Sequence, residues 1–229
     1  MIVVTFALPQ ESGEFRRAVR RARGRLGGED IRTAHLGVGP AAAAKSIQLL
    51  LAQERPRMLI CAGFAGGLDP RVRAGDVVVA DNFSTAELRG RARELTGARP
   101  HHFFGPLVTR QDPVEAVDAK AALAAETGAL AVDMETGAVA EACLRAAVPL
   151  LAVRAISDGP ETALPVPFAH WFDLERQRPR PWALVKYLAQ NPGQVVPFVH
   201  FVRGLSPARE ALADFLFQFL SRPTQPRSF

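Results

Sequence analysis

The chain has 229 residues, 48% of them apolar, which suits one sizeable α/β domain and is short for two. Its net charge of +5 and pI near 10 suggest anionic partners, but Arg16, Arg17, Arg20, Arg21, Arg23 and Arg25 crowd one helix without interleaved aromatic rings. Nucleic acid is therefore not expected as a partner, and no apolar run is long enough to argue for a transmembrane helix.

Met1-Ile2-Val3-Val4-Thr5-Phe6 runs straight into a strand at roughly 2–7 without a basic leader, so export is not expected. Pro9 suits the first turn of the following helix. A second strand near 31–37 ends in Gly37-Val38-Gly39-Pro40, and a helix follows from Ala41 to Gln53. Arg57 to Ala62 reads as a strand ending in Gly63-Phe64-Ala65-Gly66-Gly67, and Val77 to Ala80 as another. Thr85 to His102 is polar and basic with two glycines, and reads as a loop. Leu107 to Thr109 reads as a short strand, Val114 to Glu126 as a helix, and the stretch Ala131-Val132-Asp133-Met134-Glu135-Thr136 as an apolar strand delivering a carboxylate to its C-terminal end. A helix from Thr136 to about Ala147 then leads to a strand from Leu150 to Ile156. From Pro160 prolines break up regular structure. Trp182 to Gln190, Val195 to Arg203 and Pro207 to Leu220 read as three amphipathic helices. This alternation predicts one α/β domain with a twisted, largely parallel sheet, helices on both faces and a helical C-terminal extension. The boundary is placed between 1–170 and 171–229. Cys61 and Cys143 lie in apolar stretches without a histidine at metal spacing, and read as buried thiols of a cytoplasmic protein.

The chemistry concentrates at strand ends, where open α/β sheets bind ligands. Glu11 follows the first strand. Gly63-Phe64-Ala65-Gly66 brings bare backbone close to a ligand. Asp133-Met134-Glu135 and Arg154-Ala155-Ile156-Ser157-Asp158 deliver carboxylates to neighbouring strand ends. Taken singly, Glu11 is an ordinary first-turn acid, Asp158 a turn former before Gly159-Pro160, and Glu135 a solvated helix acid. Arg154, inside an apolar strand, requires a carboxylate or a ligand.

In that order these motifs resemble the nucleoside phosphorylase/nucleosidase superfamily, and look most like its 5′-methylthioadenosine/S-adenosylhomocysteine nucleosidases. The resemblance covers most of residues 1–85 and 105–160, with Gly37-Val38-Gly39 and Gly66-Gly67-Leu68…Gly75-Asp76-Val77 as further family-like runs. It implies that Glu11 takes a proton from attacking water and that Glu135 accepts hydrogen bonds from the ribose hydroxyls. It further implies that Met134 packs under the sugar and that Asp158, as a neutral acid, protonates the leaving purine. Gly63, Phe64, Ala65, Gly66, Val114, Asp133, Arg154 and Ser157 complete the expected substrate-binding set. Base and acid would stand apart, as in inverting glycosidases. No metal or organic cofactor is implied. Water is favoured over phosphate because Glu11 would repel an anion and no basic residue closely flanks Gly63 to Gly66 in sequence.

Departures from the family concern the 5′ side. Phe64 stands where a small hydroxyl residue is usual. The stretch between Ser84 and Gly105 is short, and Asp112-Pro113-Val114 replaces a base-stacking aromatic. Stacking then falls to Pro113, Val114, Phe103, Phe104 or the tail. That tail interleaves Arg176, Arg178, Arg180, Lys186, Arg203, Arg209, Arg222 and Arg227 with Trp182, Tyr187, Phe198, Phe201, Phe215, Phe217 and Phe219. Its texture resembles hopanoid-associated nucleosidases, which remove adenine from an adenosylated triterpenoid. The expected function is hydrolysis of a 5′-substituted adenosine to adenine, with a phosphorylase and a silent nucleoside-binding protein as rivals. The expected partners are the nucleoside, a second copy of the chain in a homo-oligomer, and a peripheral contact with the inner membrane face through the tail.

Overall fold

The computed structural model describes residues 1–95 and 101–222. Its elements run β1 (Ile2–Phe6), α1 (Pro9–Arg21), β2 (Arg25–Leu26), β3 (Glu29–His35), α2 (Pro40–Gln53), β4 (Met58–Gly67) and β5 (Val77–Ala80). There follow α3 (Ala86–Arg93), β6 (His102–Gly105), β7 (Leu107–Thr109), α4 (Val117–Thr127), β8 (Ala131–Asp133), α5 (Thr136–Arg145) and β9 (Leu150–Asp158). The small hairpin β10 (Phe172–Asp173) and β11 (Arg178–Pro179) precedes α6 (Pro181–Gln190) and α7 (Val195–Ser221).

The main sheet has the order β2-β3-β1-β4-β9-β5-β6, with β8 pairing β4 and β7. β1 runs parallel to β3 and β4, and β4 parallel to β9; β9–β5 and β4–β8 are antiparallel. Side chains alternate between two buried faces. Ile2, Val4 and Phe6 join Met58, Ile60, Leu151 and Val153 under α1, α3 and α7. Val3, Leu59, Cys61 and Leu150 pack on the opposite face against α2 and α5. A sheet covered on both faces explains why its central strands read as near-continuous apolar runs. Both cysteines are buried.

Four local expectations are corrected. The loop expected from Thr85 to His102 contains α3 and ends in β6; residues 96–100 lie outside the described residues. Leu88 and Ala92 sit one turn apart and are buried, with Glu87 in the first turn and Arg91 and Arg93 in the last. Both arginines spend their charge on rings: Arg93 lies 4.4 Å from the Phe104 centroid and Arg91 4.7 Å from that of Phe219. Tertiary contact thus outweighs the cost of Gly90 in the helix. Secondly, the short strand expected over Arg57 to Ala62 is β4, which runs from Met58 on through the glycines to Gly67. Thirdly, the fourth helix begins at Val117, three residues later than expected from Val114. Fourthly, the last two predicted helices are one, α7, with Pro207 inside. Burial of Ala208, Ala211, Leu212, Phe215, Leu216 and Phe219 drives its second half onto the sheet, and the helix runs through the proline. Arg227 of the tail lies outside the described residues.

Candidate active site

Glu11 sits in the first turn of α1, where one carboxylate oxygen accepts the Leu8 N–H at 2.9 Å. The other accepts the Phe64 N–H of β4 at 3.0 Å. Helix capping and delivery to β4 are therefore one arrangement. A Cβ placed on Gly63 would lie 3.1 Å from Oε1 of Glu11, so the bare backbone is what lets the carboxylate approach. The six arginines, carried by α1, the turn after it and β2, are exposed, and Arg17 pairs with Glu14.

Three residues along β4, about 10 Å at the usual strand rise, Gly66 faces Asp158. The β4–β9 register shifts between Ala65 and Gly66, pairing Ala65 with Ile156 but Gly66 with Asp158, so Ser157 is the extra residue of a bulge. Bulges re-aim side chains in this way at sites of function. The Ser157 hydroxyl stands 2.5 Å from Oδ1 of Asp158 and 3.2 Å from the Ala65 carbonyl. Oδ2 of Asp158 pairs with Nζ of Lys120, a wholly buried side chain from α4. The acid expected at this position thus has a buried lysine side chain as its direct partner. In the sequence Lys120 carries no signal beyond its place three residues before the buried Leu123 on α4.

Glu135 caps the other side. Its Oε1 accepts the Gly39 N–H at 2.7 Å, at the start of α2, where Gly39 has φ +89°. Burial first, then the Asp133 charge, pushes the Glu135 carboxyl up to about 8, against the pull of Arg154. Glu11 also contributes to that rise, and burial pushes Glu11 itself above 4.5. Proximity of the two carboxyls is thus felt in their electrostatics. A buried carboxyl with a raised pKa is a better proton acceptor than a solvated one.

Asp133 and Arg154 were expected to touch substrate, but their polar atoms are committed to each other and to the frame. Arg154 donates from Nε at 2.9 Å and Nη2 at 2.7 Å to Oδ2 of Asp133. Its other donors go to the Cys61 sulfur and to the Cys61 and Val153 carbonyls. All five N–H groups of the guanidinium are thereby used. Asp133 also receives the Thr136 N–H, the Thr136 hydroxyl and the Thr109 hydroxyl. This pair anchors the β8–α5 turn and with it Glu135. Arg154 lies beside Gly63 in register, so a cation does flank the glycine strand in space, with no donor left for an anion.

Met134 packs with Val38, Phe168, Trp171, Phe172 and Leu174. The rings near the site therefore come from the segment after Pro160, while Phe103 and Phe104 pack elsewhere in the core. Gln177 ties this segment down, accepting the Val38 N–H at 2.7 Å and donating to its carbonyl at 2.8 Å. That packing straddles residue 170. Val114 lies with Leu68, Leu123 and Val132, on the Asp158 side of the strand, and the Phe64 ring packs into the core under α1 and α7. Among the described residues no group of three or more His, Cys, Asp or Glu could hold a metal.

The family model described as "Phosphorylase superfamily" matches residues 6–91 and 82–178. The chain belongs to the phosphorylase superfamily. A 5′-methylthioadenosine/S-adenosylhomocysteine nucleosidase of Marinomonas sp. is 32% identical over 168 residues, 59% of this chain and 71% of that protein. One from Haemophilus influenzae is 26% identical over 66% of this chain and 77% of its own length. Among solved structures, the Streptococcus pneumoniae nucleosidase with a transition-state inhibitor aligns at a TM-score of 0.69 and 19% identity, covering 96% of this chain and 98% of its own. Futalosine hydrolase of Helicobacter pylori aligns at 0.59 and 20% identity over 69% of this chain and 87% of its own. Within the superfamily the chain falls among the nucleosidases, hydrolases of N-glycosyl bonds.

Proposed function

We propose that this protein hydrolyses the N-glycosidic bond of a 5′-substituted adenosine and releases adenine. The observation that carries this reading is the disposition of Glu11 and Asp158 along β4, Glu11 against Gly63 and Asp158 against Gly66. A nucleoside laid along that strand puts its sugar between Glu11 and Glu135 and its base against Asp158. Glu11 takes a proton from water arriving at the anomeric carbon. Glu135 accepts hydrogen bonds from the ribose hydroxyls and, once ionised, favours the cationic sugar of the transition state. Asp158 engages the departing base, and general acid catalysis there contributes about a hundred- to ten-thousand-fold. Water is favoured as nucleophile because Glu11 fills the place an anion would need and the donors of Arg154 are spent.

The 5′ substituent in this reading is bulky and apolar, of the triterpenoid kind. Phe168, Trp171, Phe172 and Leu174 beside Met134 support it. So does the surface of α6 and the first half of α7, where Trp182, Val185, Val196, Val199 and Val202 are exposed. Between Glu175 and Glu210 there are six basic residues and no acidic one. An apolar, basic helical face of this kind suits an anionic lipid surface, although no described helix is long and apolar enough to cross a membrane. A homo-oligomer remains part of the proposal.

The test is adenine release from adenosine, methylthioadenosine and a long-chain 5′-alkyl adenosine, with and without phosphate. Phosphate-independent release, fastest for the long-chain substrate and lost in Asp158→Asn, supports the reading. Ribose 1-phosphate as product, or no adenine from any substrate, overturns it.

A further inference from the structure

The reaction proposed above needs a proton at the departing base, yet Asp158 faces a buried ammonium. Lys120 has no solvent exposure, and its three N–H bonds go to Oδ2 of Asp158, the Gly159 carbonyl at 3.0 Å and the Thr162 carbonyl at 2.7 Å. A buried cation is costly unless its donors are met, and here one carboxylate and two carbonyls meet all three. The fold contains a second buried ion pair for comparison, Arg154 with Asp133. A guanidinium does not give up its proton, whereas a lysine ammonium can. Of the two pairs, only Lys120–Asp158 lies at the glycine strand with a transferable proton. Its carboxylate is held on both oxygens, by Lys120 and by Ser157.

We propose that Lys120 is the positioning residue behind Asp158 and supplies, through that carboxylate, the proton that neutralises the leaving base. As the bond from sugar to base breaks, its electron pair stays with the base. A new N–H bond forms there at the expense of an Nζ–H bond of Lys120, with Asp158 receiving and passing on a proton and ending unchanged in charge. Lysine is left neutral and regains a proton from solvent after the base departs. That proton balances the one Glu11 takes from the attacking water. This inference rests on the nucleosidase reading.

The experiment measures kcat and KM of the full chain for the 5′-substituted adenosine that it hydrolyses fastest. Lys120→Met, Lys120→Arg, Asp158→Asn and the Lys120→Met/Asp158→Asn double variant are compared, each with thermal unfolding. Lys120→Met should lower kcat about a hundred- to ten-thousand-fold, with KM within about threefold. The double variant should be no slower than Asp158→Asn, because a residue acting through another has nothing left to act through. It also removes both charges together and leaves no unpaired buried charge, so it reports even if Lys120→Met is poorly folded. Lys120→Arg keeps the charge but should not restore kcat. Wild-type kcat in Lys120→Met or Lys120→Arg, or losses that multiply in the double variant, would overturn the proposal. A wild-type protein that releases no adenine sinks the nucleosidase reading itself, a result visible before any variant is made.

Discussion

Replacing Glu135 by Gln keeps an oxygen for the Gly39 N–H and removes a carboxyl that the fold holds against its charged form. In the folded protein that carboxyl is pushed up from 4.5 to about 8, by burial and then by Asp133. A value raised above that of the unfolded chain means stability fully present below about pH 4.5 and lost as pH rises through about 8. At about 1.4 kcal/mol per pH unit, the loss is capped near 5 kcal/mol. Local relaxation and entry of water leave about 2–3 kcal/mol of it. For a domain of this size that is a fall in Tm of roughly 5–10 °C. Circular dichroism melts from pH 5 to 8.5 should show this decline in the wild type and a flatter profile in Glu135→Gln, with the two diverging on the alkaline side. Parallel Tm profiles in the two proteins would refute the reasoning, since the titrating group would then lie elsewhere.

Gly63→Ala places a Cβ 3.1 Å from Oε1 of Glu11 and 3.4 Å from Nη1 of Arg154, so Glu11 must yield. A full ångström of misplacement costs about a hundredfold, so a shift of a few tenths should lower kcat by about threefold to tenfold; steady-state kinetics on a variant with wild-type circular dichroism checks this, and an unchanged kcat would contradict it. Arg154→Met leaves the Asp133 charge buried without its partner and should destabilise by about 3–5 kcal/mol in urea unfolding. Adding Asp133→Asn should recover part of that loss, and no recovery would mean the two residues act separately. Glu11 must be ionised to accept a proton, and burial raises it. The acid limb of kcat/KM should therefore lie above pH 4.5, with activity growing as pH increases, and Glu11→Gln should abolish the rate; a limb below 4.5 would contradict the burial argument.

The order of elements was legible from period and punctuation. β1, β5 and β7 are short apolar runs, Pro9 and Pro40 open helices, and Gly128 at φ +62° closes α4. Reading failed where a polar residue is held by something distant in sequence. Arg91 and Arg93 made α3 look like a loop because the rings they cover, Phe219 and Phe104, come from α7 and β6. Lys120 resembled a surface lysine because its three acceptors arrive 38 to 42 residues later.

Local composition alone decided that there would be a doubly covered sheet with acids at its strand ends: strand and helix periods are written in neighbouring residues, and burial follows from them. Which acids share a site, and what faces each, needed the whole fold. A one-residue bulge at Ser157 brings Asp158 opposite Gly66, and an ion pair at Asp133 sets the turn that carries Glu135. Long-range register and the placement of buried charge depend on chain segments far apart, and no local pattern encodes them.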